Sequence, residues 1–269
     1  MNRSWIWPIA GVLVAIAITS TMDAAGASAF SALPLFPLLL LFWYLQRFSA
    51  KEVGFVWGKS HALRSYGFAI FYPIVVMGAI AAIAAVMGAL NTAGPTSHKH
   101  SVWLNLLLVG GTTILVALLT EEGFFRGWLW ASLKRTGQGT TAILILTSFA
   151  FASWHWSAVI LPTGFNPPLS QVPIFMLNAM LIGAIWGMLR LLCGSVVVTS
   201  VSHGVWNGLA YVLFGFGAHS GALRISNTAL YGPEVGVLGV LLNLIVAVGL
   251  WSWCVRQSAF APREPSTPQ

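Results

Sequence analysis

Eight apolar runs, each near the ~20 residues that span a hydrocarbon core, follow one another with short connections. They lie at about 5–22, 31–48, 66–90, 102–120, 140–161, 172–192, 194–216 and 233–255. In lipid the chain must satisfy its own backbone N–H and C=O groups, so runs of this length fold as helices. The sequence therefore predicts an all-α fold, a polytopic membrane bundle of about eight transmembrane helices. Composition agrees: only 7% of residues are charged and 57% are hydrophobic, far from the quarter-charged balance of soluble domains. No internal repeat and no soluble domain is visible. The expected organisation is a single transmembrane domain over residues 1–256, with a motif-bearing core at about 100–210. A polar, proline-rich segment, 257–269, reads as a disordered cytoplasmic tail.

Lys and Arg are retained on the cytoplasmic side of membrane proteins. With the N-terminus inside, eleven of the thirteen fall on that side and only Lys99 and Arg224 fall outside. Eight spans with both termini cytoplasmic follow from that bias. The net charge of +7 thus reads as topology and attraction to anionic lipid, and no basic patch with interleaved aromatics suggests nucleic acid. Arg3, the first apolar run and "AAGASAF" also have the outline of a signal peptide, whose removal would leave seven spans. Cys193 and Cys254 form no CxxC pair and are expected to be reduced thiols.

Ionisable groups inside spans are expensive, and each is a functional candidate. Here they are Glu121, Glu122 and Arg126 after the fourth run, His155 in the fifth, and His203 with Asn207 in the seventh. Glu122 and Arg126 are four apart with the acid N-terminal, the favourable order for an ion pair on one helix face. Glu121 is rotated by roughly 100°, so its partner must come from another helix. His203 and Asn207 share a face and can address one cavity. Counting at ~1.5 Å per residue from the cytoplasmic boundary puts Glu121, His155 and His203 about 20, 24 and 13 Å deep. They can meet at one level if the fourth helix runs on through "GFFRGWLWASLK" as a long, tilted or broken segment. The aromatics Phe124, Phe125, Trp128, Phe151, Trp154, Trp156 and Trp206 read as packing or interface anchors. His61, His98, His100 and His219 fall in loops or at span ends and take no role.

These residues occur as Glu121-Glu122-Gly-Phe-Phe-Arg126, Phe151-Ala-Ser-Trp-His155 and His203-Gly-Val-Trp-Asn207. In that order they resemble the EExxxR, FxxxH and HxxxN motifs of the CAAX protease and bacteriocin-processing family of intramembrane endopeptidases, which includes the type II CAAX prenyl endopeptidases. "SAKEVGFVWG" after the second span looks like the family's short amphipathic connector. The resemblance covers roughly 45–215; the first span and the segment after 216 add little to it. It implies peptide-bond hydrolysis within the membrane. Amide hydrolysis needs an activated water, a proton donor for the leaving amine and donors for the oxyanion. The resemblance assigns Glu121 as base, His155 to the water, and His203 with Asn207 to the carbonyl, with Glu122 and Arg126 supporting the site.

A metal-free glutamate mechanism is the favoured expectation, with no cofactor. If zinc is present, its ligands are Glu121, His155 and His203, which lack the compact HExxH spacing. Expected partners are the lipid bilayer and a membrane protein or lipidated peptide as substrate, in a bacterial inner membrane. A proton-coupled transporter, a haem-binding electron carrier and a non-catalytic scaffold are the alternatives.

Overall fold

The computed structural model describes residues 4–58, 62–91, 99–217 and 219–260. Eight helices are long and apolar enough to cross a bilayer: α1 (Ile6–Ala24), α2 (Ser28–Gln46), α3 (Leu63–Val86), α4 (Ser101–Arg135), α5 (Thr140–Ile160), α6 (Leu169–Cys193), α7 (Val196–Phe214) and α8 (Val237–Gln257). The protein is therefore an all-α integral membrane protein. Its sheet, among the described residues, is a hairpin of two-residue strands, β1 (Gly215–Phe216) and β2 (His219–Ser220). The final helix continues to Phe260, so residues 257–260, read from sequence as the start of the tail, are helical. Residues 261–269, Arg3, Lys59, His61 and His98 lie outside the described residues, as does the side chain of His100.

The bundle is centred on α5, α6 and α7, whose apolar windows are 56%, 61% and 56% buried, against 28% or less in α1, α2 and α8. The outer half of α4 faces lipid through Trp103, Leu107 and Leu115, whereas every residue from Glu122 to Leu133 is buried. Both faces belong to one 35-residue helix. The fourth helix is thus long and continuous through Gly127. Its irregularity is a π-helical stretch, Glu122–Leu129, with i→i+5 hydrogen bonding.

Close backbone approach holds α7 against α4. Gly204 and Gly208, spaced as a small-xxx-small pair, face Gly110. A Cβ at Gly204 would stand 2.5 Å from the Gly110 carbonyl oxygen and against the Ile114 side chain, and one at Gly208 would be 3.2 Å from the Gly110 Cα. Only glycine permits this contact, which places His203 and Asn207 beside the α4 carboxylates. The turn from α6 to α7 is equally specified. Gly194 closes α6 in the left-handed region (φ 74°), and the Ser195 hydroxyl caps α7 by accepting the Val197 N–H at 3.1 Å.

The connector after α2 is pinned to the Lys- and Arg-rich ends of the site helices. A one-turn helix, Ala50–Val53, starts in a capping box between Ser49 and Glu52. Burial alone would raise the Glu52 carboxyl. Hydrogen bonds from the Ser49 N–H, Arg135 and the Ser49 hydroxyl, with the charge of Arg135, outweigh it and hold the carboxyl below its ordinary range. Arg190 donates to the Glu52 carbonyl at 3.0 Å and to the Arg126 carbonyl at 3.1 Å. The Val196 N–H reaches the Gly54 carbonyl at 2.9 Å. Cys193 and Cys254 are buried and form no disulfide among the described residues.

Two outcomes follow. Gly204→Ala lowers thermal stability in detergent by about 1–3 kcal/mol through overpacking, whereas Gly111→Ala, where an added Cβ meets nothing within 4 Å, leaves it nearly unchanged. If the Lys- and Arg-rich end is cytoplasmic, an impermeant maleimide labels Ala25→Cys on intact cells and Trp57→Cys only after permeabilisation; the reverse pattern would invert the orientation.

Candidate active site

Glu122 and Arg126 form the predicted i,i+4 pair, with Oε1 and Nη1 3.2 Å apart and both side chains fully buried. The pair is not closed on itself. His203 Nδ1 lies 3.1 Å from the same Oε1, and the guanidinium carbon of Arg126 sits 4.0 Å over the Phe151 ring and 5.3 Å from the Trp186 ring. Arg126 Nε and Nη2 have no hydrogen-bond partner among the described residues; the aromatic faces are what they meet, a cation–π arrangement. The sequence reading of Glu122 as an ion-pair partner is therefore incomplete, since this carboxylate also orients a histidine.

Glu121, one residue earlier, points away from the pair, and its partners come from two other helices. Its Oε2 stands 3.7 Å from His155 Nε2 and 3.9 Å from His203 Nε2. That oxygen is buried and accepts no hydrogen bond from the described residues. His155 falls where α5 departs from α-helical geometry, its own N–H bonding three residues back to the Ala152 carbonyl. The depth count assumed straight helices; this break and the side-chain lengths bring the three groups together.

Each imidazole is anchored through its other nitrogen. His155 Nδ1 is 2.9 Å from the Phe151 carbonyl, an acceptor only, so Nδ1 carries a proton and donates it. His203 Nδ1–H donates to Glu122 in the same way. When neutral, both rings therefore present a bare Nε2 toward Glu121. His203 is further clamped by Trp186, stacked at 4.3 Å and 19°, whose indole N–H donates to Ser202 at 3.1 Å. Phe151 packs edge-on against His155 at 4.5 Å. Asn207, half-buried, lines the same cavity as Glu121, His155 and His203, so all four candidate residues converge.

The cavity, of about 340 Å³, has two acidic lining residues that the sequence reading passed over, Asp23 at the end of α1 and Glu234 before α8. Both lie at span ends, where hydropathy treats a charge as solvated. The signal that could have found them is scarcity: the chain has only six acidic residues, so each warrants an explanation. Trp206, read as an anchor, donates its indole N–H to Glu234 at 3.2 Å. Glu234 lies outside the spans, and burial lifts its carboxyl to about 7 against the opposing pull of the Trp206 N–H and His203.

The donor chemistry of Glu121, His155 and His203 suits zinc, and both histidines have the outer hydrogen bonds that metal ligands carry. Their separations do not. A tetrahedral zinc with bonds of about 2.0–2.1 Å holds its ligand atoms about 3.3 Å apart, closer than 3.7 and 3.9 Å. Among the described residues no three His, Cys, Asp or Glu are grouped as a metal site.

Removing one member of a buried pair leaves an uncompensated charge, at a cost of about 3–5 kcal/mol. Glu122→Ala therefore reduces folded yield well below that of Glu121→Gln, measured by size-exclusion profile at equal expression; equal yields would contradict the division between a supporting and a reacting carboxylate.

No curated protein matches this sequence. A family model does: residues 102–209 match type II CAAX prenyl endopeptidase Rce1-like. That segment begins in α4 and ends in α7, and so contains all three motifs and the groups that meet at Glu121. The match agrees with the resemblance carried by the motifs and implies a membrane protease. The helices that build this site are thus the part of the chain that is similar to the Rce1-like type II CAAX prenyl endopeptidases.

Proposed function

We propose that the protein is an intramembrane endopeptidase that hydrolyses a peptide bond of a membrane-associated or lipidated protein, without a metal, in a bacterial inner membrane. The observation that supports this most directly is the Glu121 carboxylate oxygen without a partner, set between two imidazole nitrogens that are themselves acceptors. A water placed there donates one hydrogen to Glu121 and the other to His155 Nε2, leaving a lone pair for the scissile carbonyl carbon. Glu121 takes the proton as the C–O bond forms. The oxyanion is met by the Asn207 amide, while Glu122 accepts His203 Nδ1–H and holds that ring against the reacting carbonyl. That carboxylate behind an imidazole does what the aspartate of a Ser-His-Asp triad does, fixing the ring's tautomer and orientation. Glu121 then passes its proton to the leaving amine as the C–N bond breaks. Deep burial makes each of these donors worth more than it would be in water.

The test is profiling of new protein termini in membranes from cells expressing the wild type or Glu121→Gln at matched folded levels. Wild-type-specific termini are expected, and Glu121→Gln cleaves at least about 10²-fold more slowly, the lower end for loss of a general base. Identical profiles would remove the support for proteolysis. Near-stoichiometric zinc in purified protein, with activity lost on chelation and restored by zinc, would overturn the metal-free part alone.

A further inference from the structure

The cavity has a direction. Beyond the reacting groups its wall is built by the end of α1 and the turn after it (Asp23, Ser28), the α5–α6 loop (Thr163, Phe165) and the segment between α7 and α8 (Phe216, Glu234). All of these lie at the end of the bundle that is poor in Lys and Arg. The connector after α2, the α4–α5 turn and the α6–α7 turn, at the opposite end, contribute no lining residue. The route to Glu121 therefore opens away from the basic end.

The wall also has a sign. It contains three carboxylates, Asp23, Glu121 and Glu234, and neither Lys nor Arg. The nearby cation, Arg126, is engaged by Glu122 behind the site. Asp23 is 1% exposed; its Oδ2 accepts the Ser157 hydroxyl at 2.6 Å and its Oδ1 has no partner. A buried carboxylate oxygen left without a donor is costly, and a cationic ligand supplies one. Glu234 is held across the cavity wall by its own backbone, since the Asn178 amide donates to the carbonyls of Pro233 and Glu234 at 2.7 and 3.2 Å. Its carboxylate accepts only the Trp206 N–H among the described residues, which leaves lone pairs free.

We propose that the site takes a peptide segment entering from the Lys- and Arg-poor end of the bundle and seats a lysine or arginine of that segment against Asp23 and Glu234. Asp23 and Glu234 are then specificity determinants of the endopeptidase proposed above, on which this inference rests. The burial that raises the Glu234 carboxyl is relieved when a cation arrives, so selection for charge is strongest for a fully desolvated lysine or arginine.

Binding tests this without cleavage. Glu121→Gln protein in nanodiscs is titrated with leucine-alanine peptides that differ only at one central position, lysine, norleucine or glutamate. The lysine peptide binds at least about tenfold more tightly than its norleucine isostere. Adding Asp23→Asn or Glu234→Gln removes that preference and leaves norleucine binding unchanged. Capping Ala29→Cys, at the mouth, with a bulky maleimide blocks the lysine peptide, whereas capping Trp57→Cys at the other end does not. Equal binding of lysine and norleucine peptides, or a preference that survives both substitutions, overturns the proposal. Wild-type-specific termini without charge preference would sink this inference alone; charge-selective binding without such termini would sink the endopeptidase reading alone.

Discussion

The arrangement depends on two opposite charges buried together inside the bundle. Desolvating a carboxylate and a guanidinium costs more than one ion pair ordinarily returns, so Glu122 and Arg126 need further partners. They find them on every neighbouring site helix: His203 of α7 at the carboxylate, Phe151 of α5 and Trp186 of α6 at the guanidinium, and Arg190 of α6 at the Arg126 carbonyl. The three motifs are thus the parts of one network. What that network leaves over is Glu121, the carboxylate with no countercharge, and the two imidazole nitrogens that face it.

Much of this was legible in the sequence because lipid makes polar groups conspicuous. The eight runs, the i,i+4 pair, the orphan Glu121 and the shared face of His203 and Asn207 all follow from periodicity and cost. Trp186 was invisible, since an apolar aromatic in an apolar helix gives no hint that it stacks on a histidine. Asp23 and Glu234 belong to no motif and sit at span ends, where a charge is usually solvated; folding turns these two inward. The π-helical stretch had no signature either, because its residues are ordinary helix formers and the extra hydrogen-bond step is imposed by packing.

The first span and the segment after α7 lie outside the family match, yet they supply the wall that the motifs lack. The Thr19 hydroxyl on α1 accepts the Trp154 indole N–H at 2.8 Å, and Ser157 donates to Asp23, so α1 is fastened to the helix bearing His155. The groups that meet at Glu121 come from the matched segment, whereas the cavity they face is shared between that segment and its flanks. The matched part carries the groups that meet at Glu121; the flanking parts add Asp23 and Glu234 to the wall before them.

The π-helical stretch gives α4 a separate rotational phase on each side of it. N-terminal to it, Gly110 must meet Gly204; C-terminal to it, Arg135 must meet Glu52. An α-helix ties such positions together at roughly 100° per residue, and one additional residue within the wider turns lets both be satisfied. A change of chain length here therefore acts as a screw. Losing one residue between 122 and 129 would leave a helix as apolar and nearly as long, able to insert and to keep its glycine contact, but with the C-terminal half turned so that the Arg135 guanidinium faces the wrong neighbours.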